Sequence, residues 1–487
     1  MNSSARTVLF VLGVLLAALS AAMLAPALVD LQDQGDAAPA FFGSSLIGMA
    51  VGGILAFMGR GTDNRLNARS AIILTGGSWA MLSAAAAVPL MLAELGLSWT
   101  DALFETTSGI TTTGATVLTG LQDMPRGVLL WRSILQWIGG VGIIVTAMAI
   151  WPLLGIGGMQ LFRLESSDTS EKMLPRAGQI AGAVSLVYLA LTFGCFIAYL
   201  AADMSAFDAV NHAMTTVATG GFSTRDGSIG AFASGGADLV ALVFMTLAAL
   251  PFLLYVRAAG GRPDFLITDP QSRAFLVVAL LATCALTAWL MVAAPEAAGD
   301  LDLPAWRLAA VNAVSIMTGT GYASADFWAW GGGAAGVFFV LMFIGGCAGS
   351  TTCSVKIFRY QIAASALNAY IAQYARPHAV KPIRYRGKLV PDDTIRSVLG
   401  FFFLFFGTFA VSASLLAFLG LDTVTAVSGA ATTLANVGPG LGDIIGPSGT
   451  FRDLPDPAKW VMTANMLIGR LEIMTVLVML APGFWRR

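Results

Sequence analysis

The sequence predicts an all-α membrane protein: ten transmembrane helices plus four re-entrant pore helices, built as four M1-P-M2 repeats in pseudo-fourfold symmetry around a central axis. Three observations predict this class. Of the 487 residues, 56% are hydrophobic and only 11% are charged, where a soluble protein carries about a quarter charged residues. Mean hydropathy is +0.76, so most of the surface does not face water and a soluble enzyme is excluded. Apolar segments of span length recur along the whole chain, and a short Thr- and Gly-rich stretch recurs four times between them.

A helix crosses ~30 Å of hydrocarbon with about 20 residues. Segments meeting this test lie near Val8–Val29, Ala40–Gly59, Ser70–Gly96, Leu129–Leu154, Ala177–Ala201, Asp238–Val256, Ala274–Ala294, Ile395–Gly420 and Lys459–Pro482, with a longer stretch from Gly331 to Tyr374. The first has no convincing cleavage site and is read as a retained helix. Domain limits follow: 1–69, a two-span N-terminal region; 70–158, 159–258, 259–390 (with a basic segment) and 391–487, the four repeats. One set of loops holds most basic residues: Arg6, Arg60, Arg65, Arg69, Arg163, Lys172, Arg176, Arg257, Arg262, Arg273, those from Lys356 to Arg396, Arg486 and Arg487. The opposite set is acidic, with Asp30, Asp33, Asp36, Asp101, Glu105, Asp203, Asp208, Glu296, Asp300, Asp302, Asp326, Asp422 and Asp443. The positive-inside rule places the basic set and both termini in the cytoplasm.

The recurring stretches are Phe104–Val117, Val210–Thr224, Val311–Ala325 and Val427–Leu441. Superposed on Gly114, Gly220, Gly321 and Gly438 they lie about 100 to 117 residues apart, too long a period for a solenoid. Each offers about 12 residues of helix, a rise of ~18 Å, enough to reach the bilayer midplane and stop. Non-helical backbone at that depth must be buried in protein or line a cavity. Four such turns around an axis would present glycine-permitted carbonyls and helix C-terminal dipoles to a cation. Four matched TxG-like triplets in four matched units are not explained by small-residue packing alone.

These residues resemble the Trk/Ktr/HKT superfamily of potassium transporters, and within it the TrkH branch, across nearly the whole chain. Gly319-Thr320-Gly321-Tyr322 is also similar to the potassium-channel filter, and Asn436-Val437-Gly438-Pro439-Gly440 departs most. The resemblance implies potassium uptake across a bacterial inner membrane, with potassium as transported ligand, no cofactor and no enzymatic activity. It implies a carbonyl-lined filter at Thr112, Thr113, Gly114; Ala218, Thr219, Gly220; Gly319, Thr320, Gly321; and Asn436, Val437, Gly438. Glycine at 114, where sodium-preferring plant relatives have serine, implies potassium over sodium. A homodimer seated on a cytosolic TrkA-like nucleotide-binding ring is implied as well, with no nucleic-acid partner.

The stretch from Gly331 to Tyr374 would span ~66 Å as one helix, twice what a bilayer needs. Its middle, Gly345–Ser354, reads as an unwound intramembrane segment, and the resemblance makes Gly345, Gly346, Cys347, Ala348, Gly349, Ser350, Thr351 and Thr352 a gate. Arg470 sits near the centre of the last span, where a charge costs ~2.5–3.5 kcal/mol on insertion scales and faces a cavity or a partner. It is expected to face the pore; the rival expectation is pairing with a carboxylate other than Glu472. His212 is expected to support its re-entrant helix, and His378 to lie in the basic loop. Gly155–Gly158 lacks the context of a nucleotide site. Cys195, Cys284, Cys347 and Cys353 show no disulfide or zinc pattern and read as small buried hydrophobes. The segment Arg376–Lys388 is a docking surface for the partner ring or for anionic lipid heads. Rival mechanisms are sodium- or proton-coupled potassium symport and the ion-translocating subunit of an ATP-driven pump.

Overall fold

Four short helices organise the molecule: Trp99–Ile110, Ala206–Val217, Ala305–Thr318 and Thr423–Ala435. At 1.5 Å per residue each is too short to cross a bilayer. Three of them open on a side-chain cap, which fixes where they start. Ser98 and Asp101 form a reciprocal capping box, Ser205 accepts from the Asp208 N–H, and Asp422 accepts from the Thr425 N–H. Asp101, Asp208 and Asp422 of the acidic set therefore do structural work at helix starts. Asp238 belongs with it, held by Arg307 at 2.5 Å.

The computed structural model describes residues 3–61, 67–149, 173–295, 303–376 and 382–485. Expectations placed on Arg65, Gly155–Gly158, Arg163, Lys172, Glu296, Asp300, Asp302, His378, Arg486 and Arg487 fall outside these residues. Six described helices are long and apolar enough to cross a membrane: Ser4–Gln32, Ala38–Met58, Arg69–Leu92, Ala181–Ala201, Pro270–Val292 and Asp392–Phe418. Each matches an expected span, and together they make this a multi-pass membrane protein. The helix Arg126–Ala149 covers most of the fourth expected span.

Each short helix packs between the long helix before it and the one after it. The returning helices of the first, second and fourth units also pack on the short helix of the next unit in cyclic order, the fourth closing on the first. At the N-terminus, Ser3–Ala22 and Ala38–Met58 interlock through Gly13 and Gly52. A methyl group on either glycine would strike the backbone of the other helix, the close approach that small residues allow in membranes.

Three expectations are corrected. The span read as Asp238–Val256 is two helices, Ala237–Ala249 and Phe252–Ala259; Pro251, with no N–H to donate, marks the break. The last span, read as continuous, stops at Arg470 and resumes at Ile473 after a bend of 114°, with Glu472 at a φ of 65°. Arg470 thus stands at a helix end, at the bend between the two halves. The chain is also not purely helical, since Arg384–Tyr385 and Lys388–Leu389 form an antiparallel hairpin in the basic segment. Its turn residues Arg386 and Gly387 both have positive φ, as a tight primed turn requires. Arg386 pairs with Asp269, which holds part of the segment Arg376–Lys388 against the body.

Candidate functional site

The site begins where the four short helices end. In every unit one N–H reaches back five residues: Thr113 to Ser108 O at 2.8 Å, Gly220 to Thr215 O at 2.8 Å, Thr320 to Ser315 O at 2.9 Å and Val437 to Thr432 O at 2.9 Å. This is the longer bond of a Schellman motif, which needs a left-handed residue just before it. Thr112, Thr219, Gly319 and Asn436 supply it, at φ of 53°, 51°, 70° and 53°. Two residues further on, φ is positive again at Gly114, Gly221, Gly321 and Gly438. A β-branched threonine resists that region, so Thr112 and Thr219 are strained positions held by their surroundings.

The repeated geometry corrects the register of the second unit. Gly221, not Gly220, is the counterpart of Gly114, Gly321 and Gly438, and the triplet there runs Thr219–Gly220–Gly221. Ala218 is the right-handed helix cap instead. The four matched glycines all line one cavity of ≈80 Å³, together with Arg132 and Ser223.

The triplets close into a ring. A methyl group on Gly114 would collide with the Gly220 carbonyl oxygen, on Gly221 with that of Thr320, and on Gly321 with that of Val437; on Gly438 it would press on that of Thr113. The glycine of each loop therefore abuts a backbone oxygen of the next, from first to fourth and back to first. Thr112, Thr113, Ala218, Thr219, Thr320, Asn436 and Val437 are buried. Asn436 Nδ2 also donates to Thr113 Oγ1 at 2.8 Å, joining the fourth triplet to the first.

Behind the ring, each short helix is braced to its own returning loop. Glu105 accepts from Thr116 Oγ1 and the Val117 N–H, His212 Nε2 lies 3.0 Å from Ser223 Oγ, Asn312 bonds Ser324 twice, and Ser428 bonds Leu441. In the corrected register His212 occupies the position of Glu105 and Asn312, which agrees with its expected supporting role. Tyr322 O–H lies 2.5 Å from Thr215 Oγ1, tying the third triplet to the second short helix. Two residues of the helix Arg126–Ala149 were not anticipated. Arg132 pairs with Glu105 at 2.8 Å and donates to Ser223 O at 3.0 Å, and Gln136 bonds the second triplet. Their signal in the sequence is two polar side chains four residues apart on an apolar helix, hence on one face.

On the other side of the ring, residues 342–356 leave the helical path between Gly332–Leu341 and Ile357–Ala375, as expected of an unwound segment. Gly345 N–H donates to Val355 O at 2.9 Å, and a methyl group on Gly346 would meet Thr352. Cys347 N–H donates to Ala249 O at 3.0 Å, Ala348 N–H to Gln271 Oε1 at 2.9 Å, and Gly349 O accepts from the Phe252 N–H at 2.9 Å. The Pro251 break is where this segment docks. Ser350 Oγ donates to Cys347 O, and Thr351 Oγ1 to Ala248 O. Lys356 donates to Thr352.

Arg470 joins this segment to the helix wall. It donates to Cys353 Sγ at 2.7 Å, to Thr351 O at 3.4 Å and to Gly139 O at 3.0 Å. No carboxylate pairs with it among the described residues, and Glu472 is taken by Arg359 at 2.5 Å. Cys353 is accordingly more than packing material: its Sγ lies 3.5 Å from Thr112 Oγ1, between the ring and Arg470. Cys284 is exposed, against expectation. A cavity of ≈50 Å³ is lined by Asn436, Cys353, Lys356 and Arg470. No group of three or more His, Cys, Asp or Glu that could hold a metal occurs among the described residues.

A multi-pass membrane protein whose four hairpin units converge on one ring of backbone oxygens defines a class of membrane proteins built around an axial site. The TrkH family model, described as a cation transport protein, matches residues 37–486. The chain is 47% identical over 416 residues to the Trk system potassium uptake protein TrkI of Halomonas elongata, covering 85% of this chain and 84% of that one. It is 38% identical over 491 residues to the Trk system potassium uptake protein TrkH of Vibrio parahaemolyticus, covering 99% of each. The crystal structure of the potassium transporter TrkH from Vibrio parahaemolyticus superposes with a TM-score of 0.90 at 36% identity, covering 99% of both chains. This chain belongs to the TrkH family.

Proposed function

We propose that this chain takes up potassium across the bacterial inner membrane, with the four ring triplets as its selectivity filter. The observation that carries the reading is the cyclic contact of Gly114, Gly221, Gly321 and Gly438 with backbone oxygens of neighbouring loops. Potassium sheds water readily into a ring of carbonyls. The short helices end at the ring and point their negative dipole ends at it. Inward flow is driven by the membrane potential, ~2.3 kcal/mol per charge per 100 mV. The segment Gly345–Thr352 and Arg470 form the gate, a plug of backbone held under the ring by a cation that also repels the permeant ion. Ten spans and four re-entrant helices, cytoplasmic termini, a homodimer and a cytosolic TrkA-like regulatory ring complete the proposal. The names of the relatives support the potassium assignment.

The test is potassium or rubidium uptake by purified protein in liposomes, with sodium and proton gradients abolished. Uptake driven by an imposed negative potential alone is the expected result. Uptake that vanishes without a second ion's gradient makes the chain a coupled symporter, and no potassium uptake under any gradient overturns the assignment.

A further inference from the structure

We infer that Gln136 is a specificity-determining positioning residue that holds one corner of the ring by its amide. The inference rests on the reading of the ring as an ion path. Gln136 is fully buried on the returning helix of the first unit, yet it serves the second. Its Nε2 donates to Gly220 O at 2.6 Å and its Oε1 accepts from the Phe222 N–H at 3.0 Å. The N–H of Phe222 can only donate and the carbonyl of Gly220 can only accept, so the amide has one satisfactory orientation. A methyl group on Gly220 would fall on this amide, so glycine at 220 leaves room for the clamp.

The clamp makes the ring unequal. Its counterpart oxygens are those of Thr113, Thr320 and Val437, and none accepts a hydrogen bond from a described residue. The oxygen of Gly220 gives one of its two lone pairs to Gln136. Sharing weakens the field this oxygen offers an ion, and the two-point bond stops the loop from closing on a smaller one. Both effects disfavour sodium, which needs stronger and closer ligands than potassium to replace its water.

The experiment measures sodium and potassium flux separately, each as sole cation, in liposomes holding the parent, Gln136→Met or Gln136→Glu, with gel filtration as the check on folding. Methionine keeps the volume and removes both bonds. Glutamate in its ionised form, reached by raising the pH, keeps the acceptor for Phe222 and removes the donor, whereas a protonated carboxyl would still donate to Gly220 O. The expected result is a sodium-to-potassium flux ratio raised roughly three- to tenfold by methionine, the effect of freeing the Gly220 oxygen of its one hydrogen bond, and further by ionised glutamate, whose carboxylate faces that oxygen. Variants that lower both fluxes in proportion, leaving the ratio unchanged, overturn the inference, because a merely structural residue would do that. Loss of the folded peak for both variants overturns it too. A parent that passes neither ion strikes instead at the reading of the ring.

Discussion

At the scale of single residues, the energetics centre on buried charges. Arg132 and Glu105 are 2.8 Å apart and almost wholly buried, and Arg132 also lies over the Phe222 ring at 4.0 Å. Removing one partner of such a pair leaves the other charge uncompensated. Arg132→Ala is expected to cost ~3–5 kcal/mol, read as a lower midpoint of unfolding in detergent. Arg470 is different, because its partners are carbonyls and a thiol. Two unit charges 4 Å apart interact by ~4 kcal/mol at an effective dielectric of 20. Recovering only ~1.4 kcal/mol of that at the barrier gives roughly tenfold in rate. Arg470→Ala should therefore stay folded and pass potassium roughly tenfold faster in the liposome assay. A variant no faster than the parent removes Arg470 from the gate.

At the scale of elements, the short helices were legible because their signal is local. About a dozen residues, a cap at one end and glycine at the other can be read from the chain itself. The breaks at Pro251 and after Arg470 were less so, since an apolar run reads alike whether straight or bent, and neighbouring elements decide. The second triplet shows the limit most clearly. Gly220 and Gly221 are equally permissive, and only the backbone dihedrals reveal which is matched to Gly114 and which makes room for Gln136. Arg132 and Gln136 show in the sequence as two polar residues on one face of an apolar helix, but their partners lie elsewhere in the chain and only the fold reveals them. Arg470, a charge in an apolar run, announced itself. Close helix contact at Gly13 and Gly52 belongs to this scale as well. Gly52→Leu is expected to destabilise by ~1–3 kcal/mol through overpacking, seen as a lower Tm, while flux per folded molecule stays at the parent's value because, among the described residues, Gly13 and Gly52 meet only each other's helices.

At the scale of the whole molecule, the first and fourth units must meet. Lys459 donates to Asp101 at 2.6 Å, at the start of the first short helix. Burial pulls the Asp101 carboxyl upward, but Lys459 and Ser98 outweigh it and hold it below its ordinary value. A depressed carboxyl stabilises the fold fully above its unfolded pKa, ~3.9, and the contribution is lost as pH falls through the folded value. Asp101→Asn should therefore lower the Tm at pH 7, because it leaves the buried Lys459 without its carboxylate. The gap from the parent should shrink below pH ~3.9. A gap that does not change with pH assigns the effect to something other than this charge.

Asn436 and Thr113 touch across 323 positions of chain, and that distance has a bearing on biosynthesis. While the ribosome is still making the final quarter, the earlier hairpins lack their last neighbour and the ring stays open on one side. On the proposed reading, selective potassium uptake is expected only from chains whose C-terminal part has been inserted, and a truncation before Asn436 should show none in the liposome assay.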